Sequence, residues 1–115
     1  MKRALVTGGT GFVGSAVVRA LVESGFEVRC LVRAGSDRAN LAGLPVEIVV
    51  ADLGSATEAA LARAAEGCDE ANHCAALYAF WARDASEFER VNVTGTRTLV
   101  RGAVRAGVPR IVYTS

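Results

Sequence analysis

Thr7-Gly8-Gly9-Thr10-Gly11-Phe12-Val13-Gly14 is the stretch on which the reading of this chain turns. Glycines stand at 8, 11 and 14, after a short apolar run, Ala4 to Val6, that reads as a buried strand. Beyond them, Val13, Ala16, Val17, Ala20 and Leu21 fall at i, i+3, i+4, i+7 and i+8. That spacing predicts one face of a helix, stopped by Gly25. Gly8 lets the chain leave the strand in a tight turn. Gly11 has no Cβ, so its backbone can approach a pyrophosphate, and Gly14 lets the helix pack closely on the sheet. The helix amino terminus then offers free N–H groups and a positive dipole end to phosphates. The alternative is a glycine-rich turn that holds nothing. The strand before it and the amphipathic helix after it argue for the phosphate-binding form.

Working outward, Glu27 to Val32 reads as a second strand. The polar loop Ala34 to Asn40 has room for a short helical turn. Val46 to Val50 is continuous and β-branched, as a strand covered on both faces should be. Ser55, with Glu58 three residues on, predicts a capping box for an alanine-rich helix ending at Gly67. Ala71 to Ala76 reads as a fourth strand, with Glu70 and Asn72 against the pattern. Asp84 with Glu87 predicts the opening of the longest helix, where Phe88, Val91, Gly95, Leu99 and Ala106 lie near one face. Gly107 and Pro109 end it, and Arg110 to Thr114 starts a fifth strand. Strands alternating with helices imply the α/β class, a parallel sheet with right-handed crossovers. The expected architecture is a Rossmann-type doubly wound sheet of strand order 3-2-1-4-5.

At 115 residues the chain fits one domain, and 51% hydrophobic against 22% charged residues argues for a packed core over disorder. A net charge of +1 provides no global field for nucleic acid or anionic membrane. The basic residues are twelve arginines and one lysine, Lys2. Cys30, Cys68 and Cys74 make an odd count without a CxxC pair, which argues against a disulfide framework or a metal site and for buried thiols in a reducing cytoplasm. The amino-terminal apolar run is too short for a signal peptide or a membrane span, so a soluble cytoplasmic chain is expected.

The wording TGGTGFVGSAVVRALVESG, VRCLVR, SDRANLAGL, ADL, WARD, NVTGT and GVPRIVYTS resembles the extended short-chain dehydrogenase/reductase superfamily over the whole chain. That branch holds NAD-dependent epimerases and dehydratases and dihydroflavonol-reductase-like enzymes, and the wording is most similar to the hopanoid-associated sugar epimerase group. The resemblance implies an NAD(P)-binding domain with Gly8, Thr10, Gly11, Phe12, Val13 and Gly14 around the diphosphate. It implies that Asp52 and Leu53 bind the adenine, with a plain loop role for Asp52 as the alternative. His73-Cys74-Ala75-Ala76 matches the family's H-x-A-A segment, where Ala75 and Ala76 would lie against the nicotinamide ribose. Asn72 stands where the family has an apolar residue. Asn92, Gly95 and Thr96 match N-V-x-G-T, with Asn92 supporting the cofactor wall, and Thr114-Ser115 matches the start of T-S-S.

Arg33 ends the second strand, 19 residues after Gly14. An acidic residue there suits the ribose 2′-hydroxyl of NAD, whereas an arginine suits the 2′-phosphate of NADP. With Arg38 and Ser36 nearby, NADP is favoured. Flat stacking of Arg33 on adenine, or Asp37, would keep NAD open. His73, the sole histidine, reads as hydrogen-bonded and structural, without a partner at catalytic spacing. Tyr78, Phe80 and Trp81 follow the fourth strand, where Tyr78 and Trp81 line either a substrate pocket or a packed loop.

The family's proton transfer needs Tyr-x-x-x-Lys after the fifth strand. The only lysine here is Lys2, so residues 1–115 hold no catalytic residue and are expected to bind cofactor without turnover. The expected whole is a longer NAD(P)-dependent epimerase, dehydratase or reductase, an oxidoreductase or isomerase acting on a sugar nucleotide or related alcohol or ketone. Family resemblance implies a homodimer paired through the helices before and after the fifth strand. The alternative is a non-catalytic NAD(P)-binding sensor or regulatory module, against which a boundary inside a strand argues.

Overall fold

The structure, a computed structural model, describes residues 1–75, 86 and 89–114. Five parallel strands form one sheet: β1 (Arg3–Thr7), β2 (Glu27–Val32), β3 (Val46–Val50), β4 (Glu70–His73) and β5 (Arg110–Tyr113). Their order is β3-β2-β1-β4-β5, as the alternation of strand and helix predicts. The order reverses direction between β1 and β4, and ligands of open α/β sheets bind at the carboxyl side of such a point.

Helix α1 (Phe12–Glu23) and a 3-10 turn (Ala39–Leu41) cover one face of the sheet. Helices α2 (Glu58–Ala64) and α3 (Gly95–Arg105) cover the other, α3 being preceded by a π-helical segment, Arg90–Thr94. Alternation along the strands divides the core. Leu5 and Leu31 point to the α2–α3 side with Leu61 and Leu99. Val6, Val28, Cys30 and Val32 point to the α1 side with Val18 and Leu41. Arg29 shares the face of Leu31, where it donates to the Ala64 and Glu66 carbonyls at the end of α2 and to Glu47 Oε2 at 2.8 Å. A strand arginine thus satisfies the open carbonyls of a helix terminus.

Four expectations need correction. The buried face of α1 is Gly14, Ser15 and Val18, with Leu21 and Val22 packed beside them, while Val13, Ala16 and Ala20 are exposed. The rotation of α1 is set by Gly14, which must meet the Gly8 carbonyl, and this turns Val13 outward. Ser55 does not cap α2. The cap is Thr57, whose hydroxyl accepts from the Ala60 amide at 3.1 Å, because the Asp52 carbonyl has already folded residues 55 and 56 into a turn. Among the described residues β4 ends at His73, short of Ala76. Asn72 does not weaken it, being buried with its amide donating to Glu70 Oε1 at 2.8 Å. The opening of the long helix at Asp84, and Phe88 on its face, lie outside the described residues. Gly25, Gly67 and Gly107 follow the helices with positive φ, as predicted for helix stops.

Candidate functional site

The chain leaves β1 at Thr7 and turns at once. Gly8 has φ +71°, and the Gly11 amide donates to the Gly8 carbonyl at 3.1 Å. A Cβ at Gly8 would meet the backbone of Cys74 and Ala75 at 2.5 to 2.7 Å, so only glycine satisfies both the left-handed backbone and the neighbouring chain. A Cβ at Gly14 would fall inside the Gly8 carbonyl group. Gly14 therefore seats α1 on the turn itself, a closer contact than the helix–sheet packing read from the spacing. A Cβ at Gly11 would meet, among the described residues, the Gly8 carbonyl alone, at 3.4 Å.

Gly11 caps α1 with no side chain, and the first turn carries no acidic residue. The amide groups of that turn and the positive end of the helix dipole have no side-chain counterpart there. Phe12, 91% exposed, and Val13, 47% exposed, flank them. This is an arrangement suited to an anion.

Beside the turn stands the end of β4. His73 is 2% exposed, with Nδ1 at 2.6 Å from Thr7 Oγ1 and Nε2 at 2.8 Å from Thr96 Oγ1. Thr96 spends its one proton on the Asn92 carbonyl at 2.8 Å, so it accepts from His73 Nε2–H. Thr7 Oγ1 accepts from the amides of Cys74 and Ala75, each at 3.2 Å, and its proton goes to Nδ1. One proton per hydroxyl leaves this single direction for the chain. His73 is thus neutral and protonated on Nε2. Burial holds its pKa below the ordinary imidazole value, which agrees. Tyr113 stacks on the ring at a centroid distance of 5.6 Å. The histidine is hydrogen-bonded through both ring nitrogens, as expected from the sequence, and it shares the Thr7 hydroxyl with the amides of Cys74 and Ala75. Thr7 opens the glycine stretch and Thr96 closes the N-V-x-G-T match, but neither motif signals that both hydroxyls meet the His73 ring.

The remaining residues gather at the same carboxyl edge. Arg33 follows β2 and is exposed, as is Arg38, and neither enters an ion pair among the described residues. Asp37 folds its own loop, its Oδ1 accepting from the Ala39 amide at 2.9 Å. Asp52 follows β3, where its Oδ1 accepts from the Gly54 amide at 2.8 Å, so it holds the loop whatever else it binds. Leu53 is buried beneath it. A Cβ at Gly95 would meet the Leu53 carbonyl at 3.1 Å, so Gly95 brings the long helix against that loop. Asn92 lies in the π-helical segment, its carbonyl receiving Thr96. The Thr114 amide donates to the His73 carbonyl at 3.1 Å, placing Thr114 beside the exit of β4. Ala76, Tyr78, Phe80, Trp81 and Ser115 lie outside the described residues.

A groove of about 590 Å³ opens at the opposite, amino-terminal ends of the strands, lined by Arg3, Arg29, Glu47 and Arg63 among others. Two of its arginines are already engaged, Arg3 with Glu27 at 2.7 Å and Arg29 with Glu47. It lies across the sheet from the glycine turn and has no part in this site. No group of three metal-ligating side chains occurs among the described residues.

The chain matches the NAD dependent epimerase/dehydratase family over residues 4–115. It is 47% identical over 110 residues to a protein of Synechocystis sp. provisionally named dihydroflavonol 4-reductase, covering 96% of this chain and 31% of that one. It is 44% identical over 111 residues to the sterol demethylase protein B of Methylococcus capsulatus, covering 96% and 33%. A crystal structure of a short-chain dehydrogenase/reductase superfamily protein from Agrobacterium tumefaciens with bound NAD superposes with a TM-score of 0.79 at 38% identity, covering 98% of this chain and 32% of that one. The chain thus spans about a third of the length of these relatives. With the glycine turn, the reversal of strand order and the match over nearly its whole length, this chain belongs to the NAD dependent epimerase/dehydratase family.

Proposed function

We propose that residues 1–115 form the NAD(P)-binding Rossmann domain of an epimerase, dehydratase or reductase, with NADP favoured over NAD. The observation that carries this reading is the uncapped start of α1 seated on Gly8 by Gly14. In this reading Gly8, Thr10, Gly11, Phe12, Val13 and Gly14 surround the diphosphate, whose charge the first-turn amides and helix dipole offset. Arg33 and Arg38, exposed beyond β2, hold the 2′-phosphate by charge-assisted hydrogen bonds. Asp52 and Leu53 receive the adenine. Ala75, Ala76, Asn92 and Thr114 form or support the nicotinamide side, whose backbone at 74–75 the Thr7–His73 pair holds.

The bound nicotinamide supplies the hydride chemistry. The proton-exchanging Tyr-x-x-x-Lys pair of the family is not among these 115 residues, so these residues bind and orient and do not turn substrate over. The reductase name of the Synechocystis relative supports an alcohol or ketone as substrate, with a sugar nucleotide as the other member of the same class. Tyr78 and Trp81 are candidates for its lining, and a homodimer in the soluble cytoplasm is the expected form. No helix among the described residues is long and apolar enough to cross a membrane.

Amide chemical-shift mapping tests the assignment. NADPH and NADH should both shift residues 8–14 and 52–53, and NADPH alone should shift the Arg33 and Arg38 side-chain signals. Shifts confined to the groove at Arg3, Arg29 and Arg63 would place the ligand elsewhere and refute it.

A further inference from the structure

Thr10 and Asn40 are 30 residues apart, yet the Asn40 Nδ2 group donates to the Thr10 carbonyl at 2.8 Å. The acceptor is a carbonyl, so the amide orientation of Asn40 is determined. This bond bears on the turn through the planarity of one peptide. The Thr10 C=O and the Gly11 N–H belong to the same trans peptide and point in opposite directions. The Gly11 N–H donates to the Gly8 carbonyl at 3.1 Å. The 10–11 peptide plane is therefore gripped on both sides, by Gly8 from within the turn and by Asn40 from outside it. Without the outer grip, a turn containing Gly8, Gly9 and Gly11 has the widest backbone freedom the chain allows.

Asn40 is itself held in place. It sits in the 3-10 turn Ala39–Leu41, whose start is fixed by Asp37 Oδ1 on the Ala39 amide at 2.9 Å. Its end is fixed by Leu41, 5% exposed in the core beside Val18 and Val6. That turn closes the loop bearing Arg33 and Arg38, so the bond joins the loop after β2 to the glycine turn after β1.

We propose that Asn40 is a positioning residue for the dinucleotide diphosphate: it locks the glycine turn in its phosphate-accepting form and ties it to the loop that carries Arg33 and Arg38. This rests on the reading of the glycine turn as the diphosphate site. It separates two roles within one loop. Arg33 distinguishes the 2′ substituent, whereas Asn40 acts equally on every ligand that carries the diphosphate.

The test uses Asn40→Leu, which keeps the shape and removes the donor, and Arg33→Ala, with dissociation constants for NADPH, NADH and ADP and amide hydrogen exchange of the ligand-free protein. Loss of one hydrogen bond of this kind weakens binding by about two- to tenfold. N40L should weaken all three ligands by the same factor within that range and speed exchange at residues 8–11 while β1 and the body of α1 keep their protection. R33A should weaken NADPH alone. Unchanged constants in N40L, with the unaltered protein binding normally, would overturn the role of Asn40 and leave the dinucleotide reading standing. Faster exchange spread through β1 and α1 would reveal a general loss of structure and also overturn it. Failure of the unaltered protein to bind any of the three would overturn both.

Discussion

Replacing Thr7 by Val isolates the hydroxyl on which β1, β4 and the backbone at Cys74 and Ala75 meet. Valine has nearly the shape of threonine, and Thr7 is 1% exposed, so the change opens no cavity and removes only polar partners. His73 Nδ1 loses its donor, and the Ala75 amide loses its acceptor. The Cys74 amide keeps a partner, because it also reaches the Thr7 carbonyl at 3.1 Å. The buried His73 Nδ1 and the half-buried Ala75 amide are left unsatisfied, at about 1–3 kcal/mol for a buried group and less for the second, or roughly 2–4 kcal/mol together. Against a total stability of about 5–15 kcal/mol for a domain of this kind, that is a large share. At about 4–5 °C per kcal/mol for this size, the thermal midpoint should fall by roughly 10 °C or more. Thr7→Ser is the control, since it keeps the hydroxyl and loses one methyl, worth about 1 kcal/mol. Circular dichroism melts of the two variants decide the matter. If T7V and T7S melt within about 2 °C of each other, the hydroxyl does not bridge the two strands and the proton chain drawn through His73 is wrong.

Other consequences follow from the same geometry. Arg33→Asp should lower NADPH affinity about tenfold or more, from loss of a charge-assisted contact worth about 1.5–3 kcal/mol, and should leave or improve NADH affinity, read by calorimetry. His73 is the only histidine, so its nitrogen-15 signals are unambiguous. They should show a proton on Nε2, none on Nδ1, and titration below the ordinary value of 6.5. Because the folded pKa lies below the unfolded one, the stability contribution is full above pH 6.5 and is lost as pH falls through the folded value. Denaturant midpoints across that range should decline with falling pH, and a ring titrating above 6.5 would contradict the buried neutral assignment. Cys30, pushed up to about 11 by burial, should resist thiol reagents at neutral pH, whereas the partly exposed Cys74 should react first, as mass spectrometry would show.

The fold was legible because its signals are local and repeated. Glu27–Val32 and Val46–Val50 match the structure residue for residue, since short, largely apolar runs bounded by turn and loop residues have few other readings. The face of α1 was misread because periodicity alone cannot fix rotation when both sides carry Val and Ala. One contact, Gly14 on Gly8, decides it, and that contact spans a turn whose shape no local pattern encodes. Ser55 and Thr57 both suit a cap, and the choice fell to the Asp52 turn upstream. At the candidate site, the glycines and the places of Arg33 and Asp52 beyond their strands were legible from spacing. The bonds of Thr7 to His73 and of Asn40 to Thr10 were not, because each joins elements 30 or more residues apart.

The most direct test of the central claim is calorimetric titration of the protein and its Gly14→Ala variant with NADPH. The added Cβ would fall on the Gly8 carbonyl, an overlap costing about 1–3 kcal/mol and displacing the start of α1 from the turn. The account predicts saturable binding of one NADPH per chain, weakened about tenfold or more in G14A. Equal affinity in the two proteins, or no binding by the unaltered one, would contradict it.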